Sequence, residues 1–191
     1  MKATELLRNE HKQILRALDV LEQMAIRTER GESIGGEDVE DMLRFLKTFA
    51  DQYHQGKEEA ALFPAMVREC QPPQFAALNQ MIFEHDQERS LVEGLEDALR
   101  TNKGKDFVYF AERLVHILRT HIFKEDHILF EMADNLLSPE ADALAARELK
   151  EFDSAWRERT FAGLIERLRR MEWKYLGRTA GTGNPRLCMR P

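Results

Sequence analysis

Two stretches of this 191-residue chain carry the same short pattern 67 residues apart: His54-Gln-Gly-Lys-Glu58-Glu-Ala-Ala-Leu62-Phe63 and His121-Ile-Phe-Lys-Glu125-Asp-His-Ile-Leu129-Phe130. On a helix, a spacing of four leaves two side chains about 40° apart around the axis and one turn apart along it. Each stretch therefore presents an imidazole and a carboxylate on one face, close enough to grip a single ion. A second repeat accompanies the first. Glu10-His11 and Glu84-His85 lie 74 residues apart, with Gln13 echoed by Gln87 and Leu21-Glu22 by Leu95-Glu96. A chain with both repeats reads as a duplicated helical hairpin whose four helices bring four histidines and two glutamates into one layer.

Apolar residues recur with the helical period and no alternating strand pattern stands out, which predicts an all-α chain. The first helix is expected over Ala3 to Glu29, with Leu7, His11, Ile14, Leu18, Leu21 and Ala25 on its inner stripe, ending at Gly31. After a breaker-rich link to Gly36, Leu43, Leu46, Ala50, His54, Glu58, Leu62 and Ala65 mark a second helix, and Pro72-Pro73 forces the next turn. Leu78, Met81, His85, Val92 and Leu99 line a third helix up to Thr101–Gly104, and Leu114, Leu118, His121, Glu125, Ile128 and Met132 line a fourth. Short links between long helices predict an up-down-up-down four-helix bundle over residues 1–137. The ligand heights agree with it: His11 lies 22 residues before Ser33 and His54 lies 21 after it, while His85 and His121 are each 18 from Lys103.

Ser138-Pro139-Glu140 combines a hydroxyl N-cap, a proline at N1 and an acid near the positive helix end, so an additional C-terminal amphipathic helix is expected over 138–176. Its stripe of Leu149, Phe152, Trp156, Leu164, Leu168 and Met171 suits either docking on the bundle or a homodimer interface. Residues 177–191, rich in Gly, Arg and Pro, are expected to be disordered.

The net charge of −6, with no concentrated basic face before the C-terminal tail, argues against a nucleic-acid partner. Cys70 and Cys188 are too few for a disulfide framework or a thiolate metal site, which fits a reducing compartment. No apolar stretch has signal-peptide length and none approaches the roughly 20 residues of a membrane span, so a cytoplasmic protein with no membrane partner is expected.

Six titratable groups in one core layer, namely His11, His54, Glu58, His85, His121 and Glu125, would each cost several kcal/mol to desolvate unless paired with one another or with a cation. Hydrogen-bonded His–Glu pairs without metal are the alternative to a metal pair. Imidazole plus carboxylate without thiolate suits iron, manganese or zinc and argues against calcium or magnesium. His116 and His127 lie about 140° and 120° around the helix from His121 and serve as controls that cannot reach the same centre. Glu59, Glu88 and Asp126 stay open, because a shift of one residue in a helix would bring them into the ligand set. No separate nucleophile or acid–base dyad is evident, so any chemistry would belong to the metals.

Taken in this order on four helices, Glu10-His11, His54 to Phe63-Pro64, Glu84-His85 and His121 to Phe130 resemble the hemerythrin-like, or HHE cation-binding, family over residues 3–137. The resemblance implies two non-haem irons, with His11, His54, His85 and His121 as terminal ligands, two per metal. Glu58 and Glu125 would bridge the metals beside an oxo, hydroxo or water ligand. Oxygen-carrying hemerythrins place a second histidine one turn after the third-helix histidine; here that position is Arg89, which cannot ligate. Extra open coordination positions suit reaction with oxygen, nitric oxide or peroxide, or iron sensing, better than reversible oxygen carriage. Relatives that repair iron centres often carry an additional cysteine-containing amino-terminal domain that is not seen here, which counts against repair; iron storage, donation or repair is one alternative. A structural bundle with zinc or no metal is the other.

Overall fold

The computed structural model describes residues 2–156 and 158–177. The breaks between its first five helices fall where the backbone chemistry favours them. Helix α1 (Ala3–Glu29) ends before Gly31, which takes the left-handed φ of 74° that closes the turn at no steric cost. Helix α2 (36–69) stops before Pro72 and Pro73, and helix α3 (Pro72–Arg100) starts on those prolines, whose missing N–H groups cost nothing in a first turn. Asn102, with φ 52°, turns the chain into helix α4 (104–136). Ser138 then caps helix α5 (Pro139–Ala155), accepting a hydrogen bond from the Ala141 N–H at 3.2 Å. Trp156 adopts an extended conformation, so the C-terminal helix is broken there, and its second half is helix α6 (Glu158–Leu176). The fold is an all-α, hemerythrin-like four-helix bundle, α1 to α4, carrying extra C-terminal helix, and no strand occurs among the described residues. No described helix is long and apolar enough to cross a membrane. The expectation for 177–191 falls, from residue 178 on, outside the described residues.

The core is two apolar clusters with a polar layer between them. One, from Ile14, Leu18, Leu21, Leu46, Phe49, Leu95, Leu114 and Leu118, is closed by Leu164, Leu168 and Met171 of α6. The other, from Leu7, Leu62, Phe63, Met66, Leu78, Leu129 and Phe130, is closed by Ala145, Ala146 and Leu149 of α5. The C-terminal stripe is thus buried against the bundle, each full-sized side chain contributing about 1.5–3 kcal/mol.

Regular α-helix does not run through the middle. Helix α2 is π-helical over Leu46–Gln55 and Glu58–Leu62, and α4 over Glu125–Leu129. Wider turns of this kind are rare and concentrate at functional sites. Pro64 does not explain the turn in α2, because Glu131, which keeps its backbone N–H, holds the corresponding place in α4 and follows the same turn. The widening corrects one expectation: Ile128, placed on the inner stripe by α-helical spacing, is 59% exposed, and Leu129 takes the inner position at 2%.

Candidate metal centre

Each helix contributes at the middle of the bundle, between the two apolar clusters. His11 comes from α1, His54 and Glu58 from α2, His85 from α3, and His121 and Glu125 from α4, and all six are at most 3% exposed. They form two groups, His11, His54, Glu58 and Glu125, and His85, His121, Glu58 and Glu125. In each, one ligand atom per residue lies within 4.8 Å of every other. The glutamates belong to both. Glu58 turns Oε1 toward His54 Nε2 (3.6 Å) and Oε2 toward His85 Nε2 (3.5 Å). Glu125 turns Oε2 toward His11 Nε2 (3.2 Å) and Oε1 toward His121 Nε2 (3.2 Å). All four glutamate oxygens are buried without a hydrogen-bond partner. Left so, each would carry a desolvation penalty of about 1–3 kcal/mol. The donor set and its orphaned oxygens fit two cations.

Behind the histidines lies a ring of carboxylates. Every Nδ1 meets one: His11 meets Asp126 (2.8 Å), His54 meets Glu10 (2.9 Å), His85 meets Glu59 (2.7 Å) and His121 meets Glu84 (2.9 Å). A proton held on Nδ1 leaves the Nε2 lone pair aimed inward, the tautomer that a metal requires. Glu59 and Asp126 therefore sit outside the inner shell, each supporting a histidine of another helix. Lys57 donates to Glu10 and Lys124 to Glu84. The phenylalanine that closes each repeat also has a partner, Phe63 stacking on His85 at 5.9 Å and Phe130 on His11 at 5.4 Å. Every shared letter of the His54 and His121 stretches thus has a physical role, Leu62 and Leu129 in the apolar core included. The signal for Glu10, Lys57, Glu84 and Lys124 lay in the repeats, but which histidine each would serve did not.

Arg89 points away from the centre, pairing with Glu59 (2.7 Å), Asp51 (2.8 Å) and Asp86 (3.0 Å). His116 and His127 are exposed, His127 lying against the Phe123 ring, so neither control histidine enters the cluster. Lys57 is fully buried, held by Glu10 and by Asp153 of α5 at 2.7 Å, and Tyr53 donates to the same Asp153 oxygen at 2.6 Å. The C-terminal extension thereby touches the support of His54, a link invisible in sequence because Asp153 belongs to neither repeat.

Protonation follows from burial and neighbours. Burial pushes His54 down to about 4 despite Glu10, and lowers His85 despite Glu59. Burial also opposes charge on His11 and His121. At His11 the Asp126 hydrogen bond and Glu125 outweigh it, and at His121 Glu125 and Glu84 do, so both are raised. Burial and the adjacent Glu125 charge push Glu58 well above the usual carboxylate range. Burial would do the same to Glu125, but the charges on His121 and His11 hold it well below. The His85 hydrogen bond, against burial and with Arg89, draws Glu59 down to about 2. Without metal, protons supply the positive charge that the layer needs.

No curated protein and no solved structure matches the chain. The profile of the hemerythrin HHE cation-binding domain does, over residues 2–133, which spans α1 to α3 and nearly all of α4, with every residue of the cluster. The duplicated motif, the bundle and the buried histidine–glutamate layer agree with that match, and the chain belongs to the hemerythrin HHE cation-binding family.

Proposed function

We propose that the chain is a di-iron protein that binds or processes a small ligand such as oxygen, nitric oxide or peroxide. His11 and His54 would hold one iron, His85 and His121 the other, and Glu58 and Glu125 would bridge them. The observation that carries this reading is the split of both glutamates, each of which offers one oxygen to either histidine pair. A bound iron pair would supply reversible one-electron redox chemistry with positions open to a small ligand. The chain's own residues do the rest. Glu58 and Glu125 would hold the two metals, and the outer carboxylates lock the imidazole orientation. Phe63 and Phe130 shield the His85 and His11 rings from water. At the position after His85 where oxygen carriers place another histidine, Arg89 is engaged with Glu59, which favours reactivity over reversible carriage.

Elemental analysis of protein purified without added metal tests this, together with its optical spectrum before and after exposure to air. About two irons per chain and an air-dependent spectrum are expected, and His54→Ala combined with Glu58→Ala should strip the metal. Zinc alone, or no metal in a protein indifferent to chelator, would overturn the redox reading. Turnover of peroxide or nitric oxide by the iron-loaded protein would then separate an enzyme from a module that stores, donates or senses iron.

A further inference from the structure

The duplication that builds the centre is broken at one pair of buried positions. Gln55 follows His54, and Glu88 lies three residues after His85; the residues at the corresponding places in the other half are Ile122 and Ile14. Those isoleucines are 3% and 1% exposed and close their side of the layer with hydrocarbon. On this side the chain instead buries an amide and a carboxylate, each 3% exposed. Gln55 Nε2 donates to one Glu88 oxygen, which leaves Gln55 Oε1 and Glu88 Oε1 both buried without a partner. Two orphaned acceptors side by side call for a cation or a hydrogen-bond donor. The carboxylates of Glu84 and Glu125 add the negative field that favours the cation, and Glu88 Oε1 lies 3.9 Å from His121 Nδ1, at the edge of the centre.

The pair also lies at the inner end of an opening. A cavity of about 330 Å³ between α2 and α3 is lined by apolar Leu46, Ala50, Val92 and Leu118 and reaches Gln55 and Glu88. Its acids grade from exposed Glu93 and Glu96 to half-buried Asp51 and buried Glu88; Lys47 pairs with Glu96 and Arg89 with Asp51, which leaves the lining with an excess of acids. A second, smaller cavity of about 130 Å³ touches Glu84, but there the carboxylate is already taken by Lys124, His121 and Gln80.

We propose that Gln55 and Glu88 form a transit site for divalent metal ions, where an incoming ion exchanges water for protein oxygens before it reaches the histidines. The proposal rests on the dinuclear reading of the centre. One carboxylate and one amide carbonyl make a hard, weak, exchangeable site, suited to passing ferrous, manganous or cobaltous ions inward rather than retaining them. An opening whose lining carries an excess of acids over bases raises the local concentration of cations and hence their rate of arrival.

Cobalt(II) added to metal-free protein provides the test, its visible absorption reporting uptake in stopped flow and elemental analysis the final stoichiometry. For Glu88→Gln, which keeps the volume, two cobalt ions per chain should still bind at equilibrium, but about tenfold more slowly than in the wild type. Should Glu88→Gln fail to fold, Gln55→Met replaces it under the same criteria. Uptake by the variant at the wild-type rate would overturn the transit site while leaving the dinuclear centre standing. A variant that ends with fewer than two ions would make Glu88 a retained ligand, which also overturns it. A wild type that binds no cobalt would overturn the centre itself and the transit site with it.

Discussion

Glu59 and Asp126 offer no oxygen to the centre, yet each holds the Nδ1 of a histidine on another helix, at 2.7 and 2.8 Å. Glu59→Gln or Asp126→Asn should weaken metal binding by about 10–100-fold while leaving the saturated stoichiometry at two, as read by competition with a chelator. Affinity equal to the wild type would show that these carboxylates neither orient nor polarise the imidazoles. His116→Ala and His127→Ala, at exposed positions, should change neither affinity nor stoichiometry. Gly94 shows a different residue-scale constraint, since a Cβ there would come within 2.5 Å of the Phe110 ring. Gly94→Ala should therefore forfeit the roughly 1 kcal/mol of helix propensity that it would otherwise gain and lower the urea midpoint.

Helix α6 is anchored by two buried carboxylates, Asp41, which accepts from Arg167 and Arg170, and Asp38. Asp38 accepts from the Tyr175 hydroxyl at 2.8 Å and from Lys174. Burial would raise the Asp38 pKa, but the Lys174 and Tyr175 hydrogen bonds outweigh it and hold the carboxyl below its ordinary value. A depressed carboxylate contributes stability above its unfolded pKa and loses it as pH falls through the folded one. Asp38→Asn should accordingly cost about 1.5–3 kcal/mol at neutral pH. The gap from the wild type should close as the pH drops below about 3.9, which urea unfolding at several pH values would read. A gap that stayed constant with pH would mean that the charge of Asp38 does not anchor the helix. In the same element Leu168 is fully buried, so Leu168→Ala should cost about 2–5 kcal/mol through the cavity it leaves.

At the scale of the whole molecule, the polar layer makes stability and metal occupancy one quantity. The metal-free core buries four unpartnered glutamate oxygens, and an ion bound only by the folded state stabilises it by mass action. At a free metal concentration a hundredfold above Kd, each site should add about 2.7 kcal/mol. That corresponds to about 5–10 °C in Tm for a chain of this size. Calorimetry with and without chelator checks it. An unchanged Tm on metal removal would mean that hydrogen-bonded His–Glu pairs satisfy the layer unaided.

Much of this was legible in residues alone. The period of the apolar positions and the placing of Gly31, Pro72, Gly104 and Ser138 mark the helices, because backbone freedom and hydrogen-bond capacity are local properties of each residue type. The repeats marked the six groups of the central layer, since helical spacing by itself puts His54 with Glu58 and His121 with Glu125. What spacing could not convey is anything made between helices. That Glu10 serves His54 while Glu84 serves His121, that Asp153 reaches Lys57, and that Arg89 turns to Glu59 depend on distances between segments far apart in the chain. The π turns that bring Leu129 inward and expose Ile128 likewise lie beyond a reading based on one fixed period. The sequence by itself determined the four bundle helices and the residue types of the central layer. Only tertiary packing decided which carboxylate meets which imidazole and on which side the layer opens, because those energies depend on contact and burial, which arise only when the four helices meet.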